Sequence, residues 1–260
     1  MRLRTQDPFG PFGAYSISDK HPINSKNRML PSQLPVANEI LSALPRAAYR
    51  SLLSHMETVE LEEGALLYQP GEAQTHMYFP TSSLLSLQTL VDHSETFTVA
   101  LVGREGISHV CCVLGTQLSP FRTVVLSAGQ ALRIKVRVFA KEFRDSEVLR
   151  GAVLSYVQAL IVQISENAAC NRFHVIEQRL ARWLLMMRDR LSIDHFHITH
   201  ETMGQLLGVR RVGVTNAALA LKQQGLIDYS RGAIDILDGR GLQKVACGCY
   251  HMLEGRHGKA

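Results

Sequence analysis

The chain is poor in several things, and each shortage excludes a class. Its 260 residues include one Trp, 9 Pro and 5 Cys. The cysteine number is odd and two of the five, Cys111 and Cys112, are adjacent; the others are Cys170, Cys247 and Cys249. A chain of this length can bury a sizeable core without disulfide staples, so the pattern predicts a reducing, cytoplasmic setting rather than a secreted disulfide framework. No apolar run approaches the roughly 18 residues that a spanning helix needs, so no membrane partner is expected. The opening MRLRTQDPFGPFGAYS has no apolar stretch of the secretory kind. The Pro and the 19 Gly follow no fixed period, which excludes a collagen-like rod. No GxSxG, P-loop, HExxH or Cys–His arrangement stands in a suitable context, so no enzyme is expected. His195-x-His197 with His200 lacks a Cys or carboxylate at ligand spacing, so no metal is expected there. Cys111, Cys112, Cys247 and Cys249 read as small buried hydrophobes rather than redox or metal groups.

What is present is the composition of a globular protein, 46% hydrophobic and 20% charged. The net charge of +5 is unevenly spread. Up to Ala169 there are 15 basic and 15 acidic residues, and from Cys170 onward 13 basic and 8 acidic. Six of the 11 His also fall in that last third. Concentrated positive charge suits a polyanion, most often nucleic acid.

The texture changes along the chain in a way that predicts an α+β protein. Residues 1–30, rich in Pro, Gly, Ser and Asn, read as a mobile tail. Residues 31–144 begin with a helical stretch, Val36–Leu53, and continue as short β-rich runs separated by turn signals. The runs are Val59–Leu61, Leu66–Tyr68, Met77–Phe79, Leu84–Val91, Phe97–Val102, Thr123–Leu126 and Ala131–Val136, which together predict an antiparallel jelly-roll barrel. Residues 145–170 form a long helix, about 37 Å over the 25 residues from Asp145 to Ala169. Its apolar stripe is Leu149, Val153, Tyr156, Leu160 and Ile164, spaced by three and four. Because the helix is longer than a small barrel is wide, that stripe is expected to be the seam of a homodimer rather than a face buried in its own chain. A second helix, Val175–Leu191, opens the third region, residues 171–246, and residues 247–260 read as a C-terminal tail.

Residues 199–225, THETMGQLLGVRRVGVTNAALALKQQG, carry the most information. Thr199 is placed to cap a helix over His200–Leu207, which Gly208 ends. Gly204, mid-helix, costs on the order of 1 kcal/mol against Ala, a cost that a close helix crossing would offset. A second helix then begins within a few residues and buries Val214, Ala217, Ala218 and Leu221. Two short helices joined by a tight Gly turn make a helix-turn-helix. The second helix turns Arg210, Arg211, Val212, Thr215, Asn216, Leu219 and Lys222 outward. Arg can bond guanine O6 and N7 in the major groove, Asn can bond adenine N6 and N7, and Val212 or the Thr215 methyl can touch a thymine methyl. Two Arg at a helix N-terminus oppose the helix dipole, a conflict that duplex phosphates would reverse. Thr199 and His200, at the start of the first helix, join the candidate contacts. Leu226–Tyr229, the turn Ser230-Arg231-Gly232 and Ala233–Leu237 form a hairpin wing with Arg231 as a phosphate contact.

With HVIEQRLARWLLMMRDRL before it, ITHETMGQLLGVRRVGVTNAALALKQQGLIDYSRGAIDIL resembles the C-terminal domain of Crp/Fnr bacterial transcription regulators. LYQPGE and VGREG in the barrel, then a long helix, keep the same order, so the resemblance spans about Leu34 to Ala246. It implies a homodimer on palindromic double-stranded DNA, a sensor barrel, and contact with RNA polymerase. In the best-known members an Arg-Glu pair and an Arg four residues later read bases. Here Arg211 matches the first, Val212 replaces the Glu and Asn216 the later Arg, which implies a different half-site. For cyclic-nucleotide binding the matching positions are Ser108, where a Glu is usual, and Arg122-Thr123. Since Ser108 replaces a carboxylate, a cyclic nucleotide is not expected and no cofactor is identified. No Cys precedes Cys111, so the N-terminal Fe–S cluster of the oxygen-sensing branch is not expected. A ligand receptor or interaction module without DNA binding is the alternative reading.

Overall fold

The structure is a computed structural model that describes residues 38–91, 95–230 and 232–250. The tail read for residues 1–30 lies outside them, as do Arg231 and the last ten residues. Two short helices, α1 (Glu39–Ser42) and α2 (Arg46–Leu53), lead into seven strands: β1 (Glu57–Leu61), β2 (Leu66–Tyr68), β3 (His76–Pro80), β4 (Leu84–Val91), β5 (Glu95–Val102), β6 (Arg122–Ser127) and β7 (Gly129–Lys135). All pair antiparallel, in a three-stranded sheet β1-β7-β3 and a four-stranded sheet β2-β6-β4-β5. One core lies between the sheets, with Val59, Met77, Phe79 and Ile134 from the first meeting Leu85, Leu87, Val102 and Val125 from the second. The strand runs read from the sequence are all present, half of their ends extended by one or two residues, but Val136, read as the end of the last run, opens a helix instead.

The four-stranded sheet is covered on both faces, which is why β4 is buried without alternation. Leu84, Leu101 and Leu126, from its other face, join a second core built on α5 (Ile176–Leu191). Trp183, Leu184 and Met187 of α5 are almost wholly buried there. The joint is reinforced inside VGREG: Glu105 accepts from Arg190 Nε at 2.8 Å and from the Gly103 amide, and both charged side chains are 7% exposed. A Cβ at Gly106 would come within 2.3 Å of the Tyr156 ring, so the loop can hug the next helix only because that position is glycine.

Two helices follow β7, α3 (Val136–Asp145) and α4 (Glu147–Phe173). α3 has no counterpart in the sequence reading; β7 passes into it with no intervening turn signal. Ser146 caps α4 by accepting from the Leu149 amide. The structure corrects the assignment of its apolar stripe. Leu149, Val153, Tyr156 and Leu160 are buried in the sandwich core of their own chain, with Ile164 packed beside them. A helix of 27 residues has more than one face, and the face with the most regular spacing is the one that its own sheet covers. The opposite side leaves Leu154 and Ile161 exposed, seven residues apart, with Ala168 exposed a further seven on. α4 is also the one helix among the described residues long and apolar enough to cross a membrane. Polar side chains fasten it to the sheet instead. β5 is an edge strand, and Gln163 closes that edge by accepting from the Leu101 amide at 2.7 Å and donating back to the Leu101 carbonyl at 3.3 Å. Asn167 donates to the Thr98 carbonyl at 3.1 Å one helical turn on.

Candidate nucleic-acid interface

The C-terminal region adds β8 (His195–His197), α6 (His200–Leu207), α7 (Arg211–Gln223), β9 (Ile227–Ser230), β10 (Ala233–Ile236) and α8 (Gly239–Val245). β8 pairs with β10, and β10 with β9, so the wing is a three-stranded sheet. β8 is only three residues long, too short for a period in the sequence to mark it as a strand.

α6 starts where the sequence places it. Thr199 Oγ1 accepts from the Thr202 amide at 3.1 Å. Gly208 ends the helix in the left-handed region at φ 61°, where glycine carries no Cβ penalty. Gly204 faces the turn, and a Cβ there would sit 3.0 Å from the Val209 carbonyl oxygen, so the crossing is as close as the sequence implied. Met203 and Leu207 of α6 and Val214, Ala217, Ala218 and Leu221 of α7 share the second core. That burial fixes which face of α7 is left over. Arg210, Arg211, Val212, Asn216 and Leu219 are exposed, Val212 at 69%. No acidic residue lies in the first turn to offset the two arginines.

Three predicted contacts, Thr215, His200 and Lys222, are partly engaged within the chain. The Thr215 hydroxyl donates to the Arg211 carbonyl at 3.0 Å, so the His200 Nδ1 3.2 Å away is the donor to it. The His200 ring stacks on Tyr229 of β9 at 4.7 Å between centroids, and burial, then the Arg211 charge, lower its pKa. Lys222 pairs with Asp228 at 2.6 Å, and the ammonium holds that carboxyl below its usual range. His195 pairs with Asp235 at 2.6 Å and His197 lies 3.9 Å from Glu63, so the three histidines serve separate partners.

The sandwich reaches this surface. A Cβ on Gly208 would come 2.9 Å from the Phe97 ring of β5. Beside that contact a cleft of about 1140 Å³ runs between Val91, Thr96 and Phe97 on one wall and Thr199, His200, Arg210 and Arg211 on the other. The sequence does not place Phe97 at the helix-turn-helix, because nothing in a strand's own pattern names Gly208, 111 residues on, as its neighbour.

The effector candidates are held differently. Ser108 is buried in a relay: the Tyr78 amide donates to its Oγ at 2.9 Å, and its hydroxyl donates across 2.7 Å to Tyr68 Oη, whose own proton goes to the His76 carbonyl. That commits Ser108 to the chain. Arg122 Nη1 donates to Gln88 at 2.8 Å, and Thr123 is wholly buried beside Tyr68 in the β2–β6 ladder. Next to Ser108, His109 is 1% exposed and neither ring nitrogen has a hydrogen-bond partner among the described residues. Burial lowers its pKa from 6.5 to about 4. A base with a depressed folded pKa stays neutral while the unfolded chain gains the proton. Its stabilisation is therefore complete above pH 6.5 and is lost as pH falls towards 4. Denaturant unfolding at about pH 7 and about pH 4.5 should differ by about 2 kcal/mol through this group, and His109→Phe should remove that part of the difference.

Residues 178–245 match the family model of the Crp-like helix-turn-helix domain. The search of curated proteins gives no match. Among solved structures, FixK2 from Bradyrhizobium japonicum is similar with a TM-score of 0.63 at 13% identity, over 74% of this chain and 98% of that one. CLP from Xanthomonas campestris, a c-di-GMP-responsive global regulator, gives 0.62 at 12%, over 74% and 99%. A Crp/Fnr-family transcriptional regulator from Thermus thermophilus gives 0.60 at 17%, over 73% and 98%. The C-terminal region is thus a Crp-like helix-turn-helix domain, and the chain has the fold of Crp/Fnr regulators.

Proposed function

We propose that this chain, with a Crp-like helix-turn-helix domain on the fold of Crp/Fnr regulators, is a cytoplasmic, sequence-specific DNA-binding transcription regulator. The observation that carries this reading is the exposed, uncompensated pair Arg210-Arg211 at the start of α7, followed one turn later by exposed Asn216 on the same helix. Arg210, at the N-cap, meets phosphate. Arg211 and Asn216 reach base edges, and Val212 with the Thr215 methyl supplies apolar contact to thymine. Thr199 and His200 brace the helix start, and Arg231 of the wing takes a flanking phosphate. Lys222, bound to Asp228, is a weaker phosphate contact than its charge alone suggests.

The protein acts as a homodimer on a palindromic site. The seam is the face of α4 with exposed Leu154, Ile161 and Ala168, which recurs every seven residues as a coiled-coil stripe does. The sandwich senses a signal and passes it through the Phe97–Gly208 contact; RNA polymerase is the downstream partner.

Selection of bound duplexes from a random pool, followed by binding across a salt series, tests the reading. The expected result is an inverted-repeat site, two chains per duplex, and an affinity that falls steeply with salt as counterions are released. Salt-independent or absent duplex binding by a folded chain would overturn it in favour of an interaction module.

A further inference from the structure

Four side chains that no part of the DNA-binding reading uses come together where α4 ends. Cys170 lies in the last turn of α4, and His174 caps that helix four residues on. Cys247 and Cys249 follow α8, in what the sequence suggested was a tail; here both are buried, as is Tyr250. The three Sγ atoms and one imidazole nitrogen all lie within 4.8 Å of one another. Cys170 and Cys247 are 3.0 Å apart, and Cys249 is 3.9 Å from His174 Nδ1. We infer that Cys170, His174, Cys247 and Cys249 form a closed tetrahedral site for one zinc ion.

Three arguments lead there. The first is size. Tetrahedral zinc, with Zn–S of about 2.3 Å and Zn–N of about 2.0 Å, sets its ligands about 3.5–3.8 Å apart, within the spread seen here. An iron–sulfur cluster interposes its own iron and sulfide and pushes the thiolates farther apart. The second is donor type: a Cys₃His set suits zinc and leaves no position open for water or substrate, the mark of a structural site. The third is charge. Among the described residues Arg182, 1% exposed, has no partner for Nε or Nη2, and its one hydrogen bond there is a long 3.4 Å contact to Asn167. Its charge acts on all three thiols. Arg179, also buried, donates through Nη2 to Asn171 Oδ1 and the Leu207 carbonyl, and its charge is felt by Cys170 and Cys247. Among the described residues neither arginine forms an ion pair, and a buried cation without a counter-charge is costly. Binding releases three thiol protons and leaves three thiolates, one neutral imidazole and Zn²⁺, a net charge of −1 beside the two guanidiniums. The protons pass to solvent and no electron moves.

The ion would tie the segment after α8 to the junction of α4 and α5, where the sandwich meets the helix-turn-helix domain. The test needs no DNA, so its failure is separate from failure of the regulator reading. The full chain, free of any histidine tag, is purified from zinc-replete medium and its metals are measured. One zinc per chain is expected. Cys249→Ser and His174→Gln should each lose it, while Cys111→Ala with Cys112→Ala should keep it. If the variants do not fold, the unaltered chain still decides: stripped with chelator and refilled with Co²⁺, it should show the intense visible absorption of tetrahedral cobalt with a thiolate charge-transfer band. The inference is overturned by zinc-free protein with free thiols, by a weak octahedral cobalt spectrum, by iron in place of zinc, or by a chain two hydrogens lighter through a Cys170–Cys247 disulfide.

Discussion

Arg190→Ala is expected to cost about 3–5 kcal/mol of unfolding stability, because it strips the partner from a buried carboxylate. Glu105 and Arg190 are each 7% exposed and meet at 2.8 Å, with Glu105 in the VGREG loop of the sandwich and Arg190 near the end of α5. Glu105 would keep only the Gly103 amide as a donor. The pair sits at the joint of the two cores, so the loss should also loosen their coupling. Denaturant unfolding followed by fluorescence is well suited, since the single Trp183 is 2% exposed in the second core. Circular dichroism follows both cores; in the variant its transition should separate from that of Trp183. Replacing both residues with Leu should restore much of the stability, since the charge left unpaired is then gone. A cost below about 1 kcal/mol for Arg190→Ala would mean that water reaches Glu105 and the joint is held by apolar packing alone.

The second large effect falls on binding. Arg211→Ala and Asn216→Ala should each weaken the selected site by about 1–3 kcal/mol and flatten its sequence preference at one position per half-site. Arg210→Ala should instead weaken all duplexes alike and reduce the salt slope by about one for each chain bound. Dissociation constants on the chosen duplex and on its single-base variants, at one fixed salt, separate the two patterns. Equal loss on every duplex for Arg211→Ala would move that side chain from base to phosphate. None of the three variants should alter stability, because all three side chains are exposed and none takes part in the second core.

Much of this was legible beforehand because it is local. Thr199, Gly208 and the inward stripe of α7 are written in spacings of a few residues, and the helix bounds follow from them. The strands of the sandwich were equally plain, each a short β-rich run between turns. What escaped was long-range. The stripe from Leu149 to Ile164 shows that α4 has an apolar face, but not that its own sheet covers that face while Leu154 and Ile161 stay free. Cys170 and Cys247 stand 77 residues apart. A Cys-x-Cys pair and a Cys-x₃-His pair are each weak ligand signals, and only the return of the chain past α8 places them together. Ser108 is a candidate ligand contact through its place in the family resemblance, where a Glu is usual; the relay through Tyr68 that occupies it joins β2, β3 and the loop after β5.

The grip of Gln163 and Asn167 on β5 has a consequence for folding in a crowded cell. A strand with free amides and carbonyls along one side is a template on which another copy of the chain can add its own strand. Until α4 has docked, β5 is such a template, and its Phe97–Val102 run is rich in β-forming residues. A chain cut before Gln163 would carry the sheet without its guard, and is expected to associate with other copies through that edge.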